Sequence, residues 1–180
     1  MLDPLPGEPF ELTGDAQKLF DSISADVAQA NAATAEAQSA LASIRAIPAS
    51  ELTAAQVNDS RAAATRDFEA KRLTLAVLKR VHAEWLPTRA SERQRAQQAA
   101  REAEAAAFAS IKTKLVAIGY NPDTINRGAM ILHPDVRAAV DLNAAMQSID
   151  NYNTFRQFIE QKASELGREL ETAKARLLTV

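Results

Sequence analysis

The sequence predicts an all-α protein: an elongated antiparallel three-helix bundle of coiled-coil type, with an extended N-terminal arm and a C-terminal helical hairpin. Three observations carry this. Alanine, the best helix former, supplies 38 of the 180 residues, and only five glycines are present to interrupt helices. Small or apolar residues recur in 4-3-4-3 spacing at Ala16, Phe20, Ile23, Val27, Ala30, Thr34, Ala37, Leu41 and Ile44, the repeat that makes one helix seek another. Prolines and capping signals divide the rest into segments of similar length. The bulky apolar residues Leu, Ile, Val and Phe number only 40, so the helices are expected to pack closely through small side chains.

Residues 1–14 form the arm. Pro4, Pro6 and Pro9, with Gly7 and Gly14, exclude a continuous helix. Leu2, Leu5, Phe10 and Leu12 give the arm an apolar side that either covers its own bundle, the simpler reading, or reaches a neighbouring subunit. Residues 15–119 are read as the alanine-rich three-helix bundle. The first helix ends at Pro48. Thr53-Ala-Ala-Gln56 is a capping box that opens the second, in which the threonine accepts from a backbone N–H and the glutamine reaches back. The second helix carries Val57, Ala64, Phe68, Leu75 and Leu78, with Leu73, Val77, Val81 and Trp85 widening the stripe. Such a wide stripe touches more than one partner.

Pro87 and a second box, Ser91-Glu-Arg-Gln94, mark the start of a third helix, unless Pro87 only kinks a single long one. Ala99, Ala100, Ala103, Ala107, Ile111, Leu115 and Ile118 form its stripe, and Gly119 suits the residue after its end. At 1.5 Å per residue the three helices span roughly 48, 51 and 46 Å, and such matched lengths favour an up-down-up arrangement. Residues 120–133 are an irregular connector, with Asn121-Pro122-Asp123 as a short turn and Met130-Ile131-Leu132 as an apolar plug. Residues 134–180 are read as the helical hairpin. His133-Pro134-Asp135 opens its first helix, which carries Val136, Val140, Leu142, Met146 and Ile149. Asp150 to Asn153 breaks the chain. The last helix shows Phe155, Ile159, Ala163, Leu166, Leu170, Ala173 and Leu177.

Charge is uneven. Residues 1–58 hold eight acids and two bases, and residues 59–101 hold five acids and ten bases. The basic stretch at 61–101 raises nucleic-acid binding as a reading. The simpler account sets an acidic first helix against a basic second one, with opposite charges along their flanks. Phe68 and Trp85 fall on the core stripe, not on a base-stacking surface, so nucleic acid is disfavoured as a partner.

No motif for catalysis, cofactor or metal is found. A carboxylate-bridged metal pair in a bundle needs Glu-x-x-His on two helices, but Lys79 precedes His82 and Met130 precedes His133 by three residues. His82 reads as a packing residue and His133 as a cap. No cysteine is present, no glycine-rich phosphate loop appears, and no serine sits in a nucleophile elbow. The N-terminus lacks the basic start and apolar core of a signal peptide, and no run is apolar enough to span a membrane. A soluble protein, cytoplasmic or part of a virus particle, is expected.

These readings favour a non-enzymatic assembly protein: an adaptor, spacer or scaffold acting within a homo-oligomer and among other protein subunits. Connector and collar components of bacteriophage particles share such arms and hairpins, an analogy of architecture alone. The alternative is a helical binding module for a partner protein or an apolar surface. Leu5 and Phe10 in the arm, Trp85 at a helix end, and Tyr120 and Met130 in the connector are the candidate partner contacts.

Overall fold

The computed structural model describes residues 1–46, 53–148 and 152–179. Pro48, Ile149 and the Asp150–Asn151 start of the second break lie outside them. All regular structure among the described residues is helical: α1 (Gly14–Arg45), α2 (Ala54–Arg80), a π-helical turn (Val81–Trp85), α3 (Leu86–Ala117), α4 (Arg127–Met130), α5 (Pro134–Ser148) and α6 (Tyr152–Thr179). The chain divides into two compact units. One comprises Met1–Glu8, Leu12–Arg89 and Asn153–Val180; the other comprises Pro9–Glu11 and Ala90–Tyr152.

In the first unit α1 and α2 pack antiparallel. Arg80 of α2 pairs with Asp26 and donates to Ser22 at 3.1 Å, Ala33 lines one surface groove together with Ala70 and Leu73, and Ala40 and Ile44 line another with Ala63. The stripe read on α1 is the face that packs: Ala16, Ile23, Val27, Ala30 and Ala37 are buried, and Phe20, Thr34, Leu41 and Ile44 are half-buried. On α2 the buried row is Ala63, Ala70 and Val77, seven residues apart, flanked by Thr74, Leu78 and Val81. Val57, expected on this face, is exposed instead. Seven residues before Ala63 stands Gln56, and Val57 is turned from it by about 100°. The capping box forms as read: the Gln56 N–H donates to Thr53 Oγ1 at 3.4 Å, and the Thr53 N–H donates to Gln56 Oε1 at 2.7 Å.

The third helix of this unit is α6, not the segment that follows Pro87. Phe155, Phe158, Ile159, Ala163 and Leu166 join Ile23, Val27, Ala30, Val77, Leu78, Val81 and Trp85 in one core. Every position of the α6 stripe is buried or half-buried. The sequence pattern therefore located the face of α6 but not its partner. Nor does the chain break at Pro87. Residues 54–117 are helical throughout, and Ser91, read as a cap, sits exposed within α3. The π-helical turn explains this. The Leu86 N–H bonds back five residues to the Val81 carbonyl, a local widening just before the proline that relieves the regular i to i−4 ladder it would interrupt.

The arm packs on its own chain. Asn31 clamps Leu2 twice, accepting from its N–H at 2.7 Å and donating to its carbonyl at 2.9 Å. Leu2, Leu5 and Leu12 lie on the core. Glu8 reaches Arg89 in an ion pair whose side chains are 2% and 4% exposed, and the Arg89 guanidinium stands 5.4 Å from the centre of the Phe155 ring.

In the second unit Phe108 and Ile111 of α3, Met130 of α4 and Val136 of α5 form the core, with Leu115, Ile125 and Val140 against it. Gly119 ends α3 as expected. It adopts φ 100°, its N–H donates to the Val116 carbonyl at 3.0 Å, and the Tyr120 N–H donates to the Leu115 carbonyl at 3.1 Å. This is the paired hydrogen-bond pattern that satisfies the last carbonyls of a helix and favours glycine. His133 caps α5 through Nδ1, which accepts from the Asp135 N–H at 3.3 Å.

Ala37, 1% exposed in the seam, tests the packing. Ala37→Leu is expected to destabilise the protein by about 1–3 kcal/mol through overpacking, measured as a lowered midpoint in chemical denaturation. An unchanged midpoint would place Ala37 away from the α1–α2 contact.

Candidate functional site

The five sequence candidates fall into different environments. Trp85 is fully buried, its ring 5.2 Å from that of Phe20 in an edge-on contact. Leu5 packs against the same core, and Phe10 is half-buried. Met130 is buried in the core of the second unit. Tyr120 alone stands out from the surface, at 57% exposure. Trp85, Leu5 and Met130 are thus taken up by their own chain. The reason is common to all three: a chain with few bulky residues uses them to fill its cores.

Other residues join Tyr120. Val116, Ile118, Ile131, Leu132 and Leu142 are exposed, Ile118 by 73% and Leu132 by 81%. All six lie between residues 116 and 142, in the second unit. Their exposure follows from local structure. Helix α3 stops at Ala117 and the chain reverses through Gly119, so Ile118 leaves the helical face on which its spacing would have buried it. After α4 the chain turns again, the Leu132 N–H donating to the Ala129 carbonyl at 3.2 Å. Of the apolar plug, Met130 therefore points inward, while Ile131 and Leu132 remain outside. Sequence spacing missed Ile118 and Leu132 because a helical period cannot be extrapolated past a helix end. The signal that could have found them is the adjoining Gly119 and the run of three apolar residues, of which one short turn can bury only part.

Glu104 holds this surface in place. Its carboxylate accepts from Arg127 at 2.7 Å and also from Asn143, tying α4 and α5 to α3, and its side chain is 14% exposed. The Arg127 guanidinium also lies 4.2 Å from the centre of the Phe108 ring. Gln97 adds a further tie, donating to the Met146 carbonyl at 3.2 Å.

The basic stretch is largely paired within the chain. Lys71 bonds Asp67 at 2.7 Å, Arg72 bonds Glu69 at 2.8 Å, Arg95 bonds Glu92 at 3.0 Å, and Arg80 and Arg89 reach Asp26 and Glu8. Most of these partners sit on the same helix, so the pairing is more local than an acidic helix facing a basic one. His82, read as a packing residue, is instead at the surface, 3.2 Å from Glu160.

Protonation is displaced at Arg80, Glu160 and Glu165, and each shift favours the charged form. Asp26, then Glu84, raises the pKa of Arg80. Hydrogen bonds from Arg156 and then His82 hold Glu160 below its usual range, as those from Gln161 and then Lys162 do for Glu165. Shifts of this sign belong to structural ion pairs. Among the described residues, no group of three or more acidic or histidine side chains converges as metal ligands would, and no helix is long and apolar enough to cross a membrane.

No protein family, curated protein or solved structure matches the chain.

Removing the Glu104 carboxylate tests the role given to it. Glu104→Ala is expected to cost about 1–3 kcal/mol, the range for charge-assisted hydrogen bonds lost from a shielded acceptor. It should also speed amide hydrogen exchange in residues 127–143. Exchange unchanged there would mean that Glu104 does not hold α4 and α5.

Proposed function

We propose that this chain is a non-enzymatic assembly protein, an adaptor, spacer or scaffold that works as a homo-oligomer. The observation that carries the reading is the imbalance in the second unit. Among the described residues its buried apolar side chains are Ala100, Phe108, Ile111, Met130, Val136 and Met146, only four of which form one cluster, while six large apolar side chains between Val116 and Leu142 face solvent. A small unit with so modest a core gains stability by covering that surface. Large exposed apolar side chains concentrated in one stretch of chain are what a protein–protein contact would cover.

A virion role, as a connector or collar component, is one setting in which such a subunit would operate, and it rests on architectural analogy alone. The alternative is a binding module for a different protein. The same six residues favour it as much as they favour self-association, so the two readings divide on stoichiometry.

Absolute mass by light scattering across a concentration series tests the proposal. The expected result is a multiple of the 19.5 kDa chain mass that persists on dilution into the low micromolar range. A constant 19.5 kDa at every concentration would overturn the homo-oligomer and leave a heterologous partner as the reading to pursue.

A further inference from the structure

We infer that the face on which residues 1–8 lie is a peptide-binding channel for another protein, with the arm as its internal competitor. The partner's segment is extended and carries two leucines and a carboxylate at three-residue spacing. Before its first leucine it continues into a groove between α1, α2 and α6. The inference stands apart from the assembly reading above, since it concerns the first unit and a partner of different sequence.

The arm shows what the channel reads. Pro4, Pro6 and Pro9 fix φ near the value of a polyproline helix, which has three residues per turn. Leu2, Leu5 and Glu8 stand three apart, and all three turn toward the bundle. The leucines pack on its core, and the Glu8 side chain is 2% exposed. Asp3, Pro4 and Gly7 between them are exposed. The contacts are of the kinds that hold extended peptides. Asn31 engages both the N–H and the carbonyl of Leu2, which reads backbone whatever the side chain. Arg89, buried beside Phe155, meets Glu8 in an ion pair, so an acid is favoured over a neutral residue at that position. Asn31, Arg89 and Phe155 come from α1, α3 and α6, far from the arm in sequence, and a segment from outside would meet the same groups.

The groove selects the occupant. Leu2 lies at Asn31 and Thr13 at the start of α1, so the arm runs antiparallel to that helix. Residues placed before the first leucine therefore head toward the C-terminal half of α1. There Met1 and Leu2 border an open groove of about 280 Å³, lined also by Thr34, Thr74 and Leu166. It shares Gln38, Asp67 and Lys71 with a second of about 750 Å³, lined by Leu41, Ala64 and Ala173 and reaching Arg45. From Thr34 to Arg45 α1 rises roughly 16 Å, the length of about five extended residues. The arm of a second copy brings only the contacts that the resident arm already makes. It would compete against a tether that holds the resident at an effective concentration on the order of millimolar. A longer segment of another protein adds the groove, and that addition lets it displace the arm.

The test uses the full chain and fluorescent peptides, with binding read by anisotropy. The long probe is residues 1–8 preceded by an alanine tail about five residues long; the short probe lacks the tail. Leu2→Asp with Leu5→Asp in the chain frees the channel, and circular dichroism checks that helicity is kept. This variant is expected to bind the long probe about ten-fold or more tighter than the wild-type chain does, and to bind the short probe several-fold more weakly than the long one. Glu8→Gln or Leu5→Asp made in the probe should lower its affinity about ten-fold. Equal binding by variant and wild type, or by the probe and its substituted forms, overturns the channel. Equal affinity for long and short probes overturns the groove's part in it and with it the choice of an outside partner. Should the aspartate variant lose helicity, amide exchange in residues 1–8 of the wild-type chain decides. Faster exchange under saturating long probe supports displacement of the arm, and unchanged exchange overturns it. A wild-type oligomer that the short probe dissociates would place a second copy's arm in the channel and overturn the outside partner.

Discussion

The close approach of α1 and α2 through alanine is the constraint on which the rest of the first unit depends. Ala30 and Ala37 on one helix and Ala63 and Ala70 on the other are all buried, and any larger side chain there would push the axes apart. A methyl seam fits tightly but removes little area from water, and apolar burial contributes only about 25 cal/mol per Å². The unit therefore draws its stability from one end. There Trp85, Phe20, Ile23, Leu78 and Ile159 form a layered core, closed by the leucines of the arm and by α6. The small residues set the geometry; a few large ones supply most of the energy.

The buried ion pair has a different role. Glu8 and Arg89 are almost completely shielded, and the desolvation of both charges offsets much of their attraction. Replacing such a pair by apolar residues is often neutral, whereas removing one partner typically costs about 3–5 kcal/mol. The pair thus acts chiefly on where the arm lies. An arm placed with Glu8 over Arg89 keeps both charges paired beside Phe155. Together with the Asn31 clamp on Leu2, it gives a proline-rich segment without regular structure a single path across the core.

Much of this was legible in the sequence, and the reasons for the remainder are physical. Periodicity identifies a face, so the nine positions on α1 and the seven on α6 all turned inward. Caps are local chemistry, so Thr53 with Gln56, Gly119 and His133 could each be read within a few residues. Partner choice is not local. Nothing in the spacing of α6 says that it packs with α1 and α2, and Glu8 and Arg89 stand far apart along the chain. Pro87 was misleading for a related reason: a π-helical turn, in which the Leu86 N–H reaches back to the Val81 carbonyl, accommodates a proline that a regular helix would not. At the candidate site Tyr120 could be found as an aromatic in an irregular segment. Ile118 and Leu132 could not, because their exposure is set by where α3 ends and how the chain reverses.

The two units differ in how far they complete their own burial. In the first unit most aromatic and aliphatic side chains, Met1 and Val57 excepted, are enclosed by three helices and an arm; in the second, six large apolar side chains between residues 116 and 142 are exposed beside a small core. The most direct measurement is amide hydrogen exchange of the intact chain at a series of protein concentrations. The account predicts that protection in residues 116–142 rises with concentration as this surface becomes covered, while α1, α2 and α6 exchange at rates independent of concentration. Protection of 116–142 that does not change with concentration would contradict it, since the exposed apolar side chains would then remain in contact with water in the protein's only state.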